Sequence, residues 1–235
     1  NISLLLNCLL LFLLFFESRI SVPLWLQVVG RTHPLVLHFP VVLVVMYALL
    51  VLFFQTQKKF DDHNQHIADL ILHFAAISSA ITALAGFFLS KEQGYDADAL
   101  QWHKWSGVAI SLFMILWCYF KNILQARKIT AIATSIVALV LIVMAGHQGA
   151  GITHGENFVL APITPEKKLV VVSTEEAELF THLVKPILEA KCISCHNSKK
   201  AKGELVMETE ALLLKGGKNG VLWDNTSADL GLLLR

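Results

Sequence analysis

Cys192, Cys195 and His196 belong to the run Cys192-Ile193-Ser194-Cys195-His196, the pattern CxxCH. Two thiols at this spacing, followed at once by an imidazole, suit one chemistry better than any other. Each thiol can add its S–H across a vinyl group of a haem, and the histidine can then give an axial nitrogen to the iron. That is the attachment signature of haem c. The competing uses of a CxxC pair fit less well. A thioredoxin-like redox pair calls for a βαβ setting, and no such pattern surrounds these residues. A tetrahedral zinc site calls for a second ligand pair. Cys8 and Cys118 stand singly in distant apolar runs, where buried structural thiols are expected.

An electron-transferring haem iron usually carries Met or His as its sixth ligand. Met207 is the only methionine after the motif and is the candidate distal ligand. It follows His196 closely, so packing against the haem edge is the competing expectation. A distal ligand beyond Arg235 is the third.

The histidines form the next group. There are 10 of them in a chain that is 55% hydrophobic. His33 and His38 open one apolar segment, His103 opens another, and His147 and His154 follow a third. Ionisable residues at the membrane are costly and are functional candidates by default. Histidines from facing helices hold b-type haems, and an imidazole titrating near neutral pH can bind or deprotonate a quinol. A haem b would draw its ligand pair from His38, His103 and His147, which come from three helices at similar depth. Helix capping and interfacial hydration are the structural alternative.

These side chains must be positioned by helices. Charged residues are only 16% of the chain and mean hydropathy is +0.60, which points to membrane spans. Apolar segments run over 2–16, 35–54, 66–89, 105–120 and 129–144. A helical span needs about 20 apolar residues. The second and third qualify outright, and the last two qualify once their polar flanks are included. The first is short, and reads as a short span or as the apolar part of a retained signal sequence. Small residues such as Ala75, Ala76, Ser79, Ala80 and Gly86 mark segment 66–89 as a closely packed, central helix. From Glu156 the chain becomes charged. A helix is expected from Thr174, bent or broken at Pro186, and leading into Cys192. Net charge is +1, which leaves no case for nucleic acid.

Two resemblances add to this. Lys185-Pro186-Ile187-Leu188-Glu189-Ala190-Lys191 before the motif, and Lys202-Gly203-Glu204-Leu205 with Lys215-Gly216-Gly217 after it, resemble the planctomycete-type cytochrome c domain. Members tend to carry their distal methionine in a later Met-Pro-Pro segment, so the resemblance implies a domain continuing past Arg235. His33-Pro34, His38-Phe39-Pro40, His103-Lys104-Trp105-Ser106-Gly107 and the stretch Gly146 to Gly155 resemble an uncharacterised family of membrane bundles. That family is found fused to such cytochromes in Bacteroidetes- and Planctomycetes-like bacteria. It implies a membrane module beside a cytochrome.

The expected fold is all-α. A transmembrane bundle of four to five spans covers 1–155, a linker covers 156–174, and a small cytochrome c domain covers 175–235. Haem c is attached outside the cytoplasmic membrane, so the tail is expected in the periplasm. Lys58, Lys59, Lys121, Arg127 and Lys128 then fall on the cytoplasmic side, a slight positive-inside bias. The expected function is electron transfer in the bacterial envelope, from quinol or a bundle haem b to a periplasmic partner. The chain would act as a carrier or as a subunit of a quinol-oxidising complex. The alternative is a haem-bearing structural or sensory subunit of a larger envelope assembly.

Overall fold

The computed structural model describes residues 2–57, 62–92, 95, 97–154, 159–163, 178–193 and 195–222. Among these residues the fold is all-α, with no strand. The chain divides into two compact units. One comprises 1–92 and 101–148, the other 93–100 and 149–235.

The first unit is a helical bundle. It contains α1 (Ile2–Phe15), α2 (Leu24–Arg31), α3 (His33–Val36), α4 (His38–Gln57), α5 (Asp62–Leu89), and most of α6 (Ala97–Gln125) and of α7 (Lys128–His154). Four helical stretches are long and apolar enough to cross a membrane: Leu24–Phe54, His63–Leu89, Asp98–Gln125 and Lys128–His154. Helices α6 and α7 have 29 and 27 residues. At 1.5 Å per residue they reach about 40 Å, against a hydrocarbon core of about 30 Å. Their polar ends therefore belong to the helices and project past the apolar layer. Phe39, Val42, Leu49, Phe74, Ile81, Leu116, Phe120, Val140 and Val143 are exposed on the bundle. A soluble monomer rarely shows so many, whereas lipid accepts them.

Pro34 and Pro40 explain the break in the first long stretch. Each lacks an N–H and is tolerated only in the first turn of a helix. The chain accordingly restarts at His33 and again at His38. Thr32 joins α2 to α3 and donates its hydroxyl to the Val29 carbonyl at 2.7 Å.

Helix α5 is central, packing against α1, α2, α3 and α4. Its buried Ala75, Ala76, Ala80 and Ala85 let neighbouring backbones approach. Gly30 of α2 takes this furthest: a Cβ there would lie 2.7 Å from the Leu89 amide nitrogen. The main core joins Val44, Tyr47 and Val51 of α4, Leu72 of α5, Met114 and Trp117 of α6, and Ala131 and Ala138 of α7. The Tyr47 and Trp117 rings meet edge to face at 4.9 Å. Gln125 donates to the Tyr47 hydroxyl at 2.6 Å, and Lys121 pairs with Asp69 nearby.

Helix α1 is docked in this bundle. Leu10 packs with Leu84, Phe87 and Val108. Asn7 is buried, donates to the Ser3 carbonyl at 2.9 Å, and accepts from the Ser111 hydroxyl at 2.8 Å.

The second unit carries the last turn of α7, a π-helical turn over Leu179–Val184, α8 (Lys185–Lys191) and α9 (Glu210–Lys215). Within it the buried Lys200 ammonium donates to the Ile152 carbonyl. Pro186 lies in the first turn of α8, where the wider π turn gives way to α-helix. The N-cap expected at Thr174 lies outside the described residues.

Candidate functional site

Helix α8 delivers the two cysteines. The Leu188 carbonyl accepts from both the Cys192 and Ile193 amides at 2.8 Å, which closes the helix. The Cys192 carbonyl then accepts from the Cys195 amide at 3.1 Å and the His196 amide at 3.0 Å. That makes one further helical turn. Both cysteines are thus anchored to this one turn. Both carry thiols rather than a disulfide.

The chain after the motif clamps it in place. The Asn197 amide group donates to the Ile193 carbonyl at 2.8 Å, while its oxygen accepts from Lys199 and Lys200 amides at 3.0 and 2.8 Å. The Cys195 carbonyl accepts from Lys202 at 3.2 Å, and the His196 carbonyl accepts from Met207 at 2.8 Å. Sequence reasoning missed Asn197. Its signal was an Asn at a turn, whose side chain commonly bonds the backbone two residues on.

Beside the motif lies an apolar cluster of Leu188, Met207, Leu213 and Leu222, flanked by Phe180, Val184, Cys192, Ile193 and Leu205. His196 Nδ1 is buried with no hydrogen-bond partner. A buried polar atom left unpaired costs about 1–3 kcal/mol. Two thiols on one turn, an imidazole directly after them and an apolar wall together fit haem c. Met207 is buried within the cluster, and its backbone is tied to that of His196.

The bundle brings together a different pair of histidines from those expected. The His33 and His103 rings meet with centroids 5.9 Å apart and planes at 83°. His33 Nδ1 is 3.0 Å from the Thr82 carbonyl of α5. His103 Nδ1 is 3.0 Å from the Ala145 carbonyl of α7. A carbonyl oxygen only accepts, so each Nδ1 carries a proton, and in the neutral ring Nε2 then carries the lone pair. Gly86 makes room: a Cβ there would stand 3.0 Å from His33 Cε1. His38 and His147 are exposed, and His38 Nδ1 bonds the Leu35 carbonyl at 3.1 Å within its own segment.

At the same end of the bundle Glu17 holds two lysines, Lys104 of α6 and Lys91 in the turn after α5. Lys104 Nζ lies 2.8 Å and Lys91 Nζ 3.2 Å from its carboxylate. Burial raises the Glu17 pKa, but the two ammonium groups outweigh that and hold it below its ordinary value. Arg31 pairs with Glu92, the residue after Lys91, at 2.8 Å.

Residues 31–156, which contain His33, His103 and the core of the bundle, match the family model of a predicted membrane protein, DUF2231. The chain belongs to the DUF2231 family. Residues 192–235 of this DUF2231 protein, beginning at Cys192, match the model of the planctomycete cytochrome C domain and are similar to it. A membrane bundle and a cytochrome-like region thus follow one another in the DUF2231 chain, as the two resemblances implied. Neither the curated proteins nor the solved structures give a match.

Proposed function

We propose that this DUF2231 protein is a membrane-anchored c-type cytochrome that carries electrons in the bacterial envelope. The observation that carries the reading is the CxxCH turn beside an apolar cluster, in the same chain as a membrane bundle. Cys192 and Cys195 would add their S–H bonds across two vinyl groups, each proton going to a vinyl carbon, so that nothing leaves. His196 would give an axial nitrogen to the iron. Bound haem supplies a one-electron ferric–ferrous couple. Leu188, Ile193, Leu205 and Met207 exclude water from the attachment turn, and Asn197 fixes its backbone. The cytochrome region begins near residue 175, faces the periplasm, and passes electrons from membrane quinol to a periplasmic acceptor.

The test uses full-length protein in liposomes. Adding a short-chain quinol under argon should raise the ferrous haem absorbance, and a soluble oxidised cytochrome should then reverse it. Reduction by ascorbate with no response to quinol would contradict quinol as the donor.

A further inference from the structure

We propose that His33 and His103 are the two axial ligands of a haem b held within the bundle. This deepens the electron-transfer reading and rests on it for its purpose, while the site itself stands on the geometry of the two rings. The pair is built as metal ligands are built. A metal-binding histidine almost always donates its second ring N–H to a carbonyl, carboxylate or water, which fixes the tautomer and the ring. Both rings do this, each to the backbone of a different neighbouring helix. Four parts of the bundle are thereby drawn to one point: α3 and α5 through His33, α6 and α7 through His103. Among the described residues no hydrogen bond engages either Nε2.

The spacing agrees. With metal–imidazole bonds of about 2.0 Å, two imidazoles on opposite sides of one metal hold their ring centres roughly 6 Å apart. The observed centroid distance is 5.9 Å.

Ligand count selects the metal. A bare zinc ion takes three or four protein ligands. Among the described residues no group of three or more His, Cys, Asp or Glu side chains could hold a metal ion. Haem iron brings four nitrogens of its own and needs only two from the protein. Lys104, one residue from His103, is committed to Glu17. The exposed His38 and His147 stand outside the pair.

The experiment uses the full chain, made in a bacterium with a c-type maturation system and purified in detergent. Acidified acetone extracts non-covalent haem and leaves thioether-bound haem on the protein. Pyridine haemochrome spectra of extract and residue then count the two separately. Expected are one extractable b-type haem and one covalent c-type haem per chain. His33→Gly and His103→Gly should each lose most extractable haem and keep the covalent one, and added imidazole should restore it. His38→Ala and His147→Ala should keep both. The proposal is overturned by wild-type protein with no extractable haem, including protein that carries quinone instead. It is equally overturned if both glycine variants keep their haem b, or if neither responds to imidazole. Absence of covalent haem alone, with extractable haem normal, supports this site and counts against the reading of Cys192, Cys195 and His196.

Discussion

Replacing Gly30 by alanine should destabilise the bundle, and the reason can be worked from one contact. A Cβ at this position would lie 2.7 Å from Leu89 N, 3.0 Å from Phe88 C and 3.1 Å from Leu89 Cα. All three atoms are backbone, so no side chain can rotate away. Helix α2 or the end of α5 must shift as a body. Overpacking of this kind costs about 1–3 kcal/mol. Alanine recovers at most about 1 kcal/mol in helix propensity over glycine. The net expectation is a loss of up to about 2 kcal/mol, a fall of roughly thirtyfold in the folded-to-unfolded ratio at the upper end. Gly107 is the control. It lies inside α6 with nothing within 4 Å of its would-be Cβ, so Gly107→Ala should be neutral or stabilising. Reversible unfolding in mixed detergent and SDS micelles, followed by far-ultraviolet circular dichroism, measures both. If Gly30→Ala proves as stable as Gly107→Ala, the close approach of α2 to α5 is refuted.

A double-mutant cycle on Asn7→Leu and Ser111→Ala should give a coupling of about 0.6 kcal/mol, with about 1.7 as the upper limit. Zero coupling would mean that α1 does not dock through this hydrogen bond. The Glu17 carboxylate, whose pKa is depressed in the fold, stabilises the bundle at pH values above its unfolded pKa. That contribution falls away as pH drops through the lowered folded value, and it amounts to under about 1 kcal/mol for so partly exposed a group. Glu17→Gln should remove this acid-side dependence in the same micelle assay, and an unchanged pH profile would count against the Lys91–Glu17–Lys104 contact. Loss of extractable haem from the His33 and His103 variants, with retention in His38→Ala and His147→Ala, is the corresponding prediction for the bundle site.

The CxxCH turn was legible because its pattern is local: Cys192, Cys195 and His196 are near neighbours in sequence, and the turn is closed by bonds to the Cys192 carbonyl. The four long spans were legible for a similar reason, since lipid imposes length and apolarity on each helix separately. Their ends were not. Polar residues such as Asp98, Gln125 and Lys128 lie in helix because backbone bonding continues past the apolar layer. The histidine pair was harder still. Depth along the chain singled out His38, His103 and His147, but pairing depends on how each helix is rotated about its axis. Pro34 and Pro40 reset that rotation twice between His33 and the body of α4, and Gly86 opens the space His33 takes. Glu17 gave no warning, because its partners Lys91 and Lys104 are 74 and 87 residues away. Asn7 likewise finds Ser111 across 104 residues.

The central claim is that Cys192 and Cys195 carry a haem covalently, and intact-protein mass spectrometry tests it most directly. Full-length protein made with a c-type maturation system and denatured before analysis should show the mass of the polypeptide plus one haem. The Cys192→Ala, Cys195→Ala double variant should show the polypeptide alone. A wild-type mass with no haem on it would contradict the account.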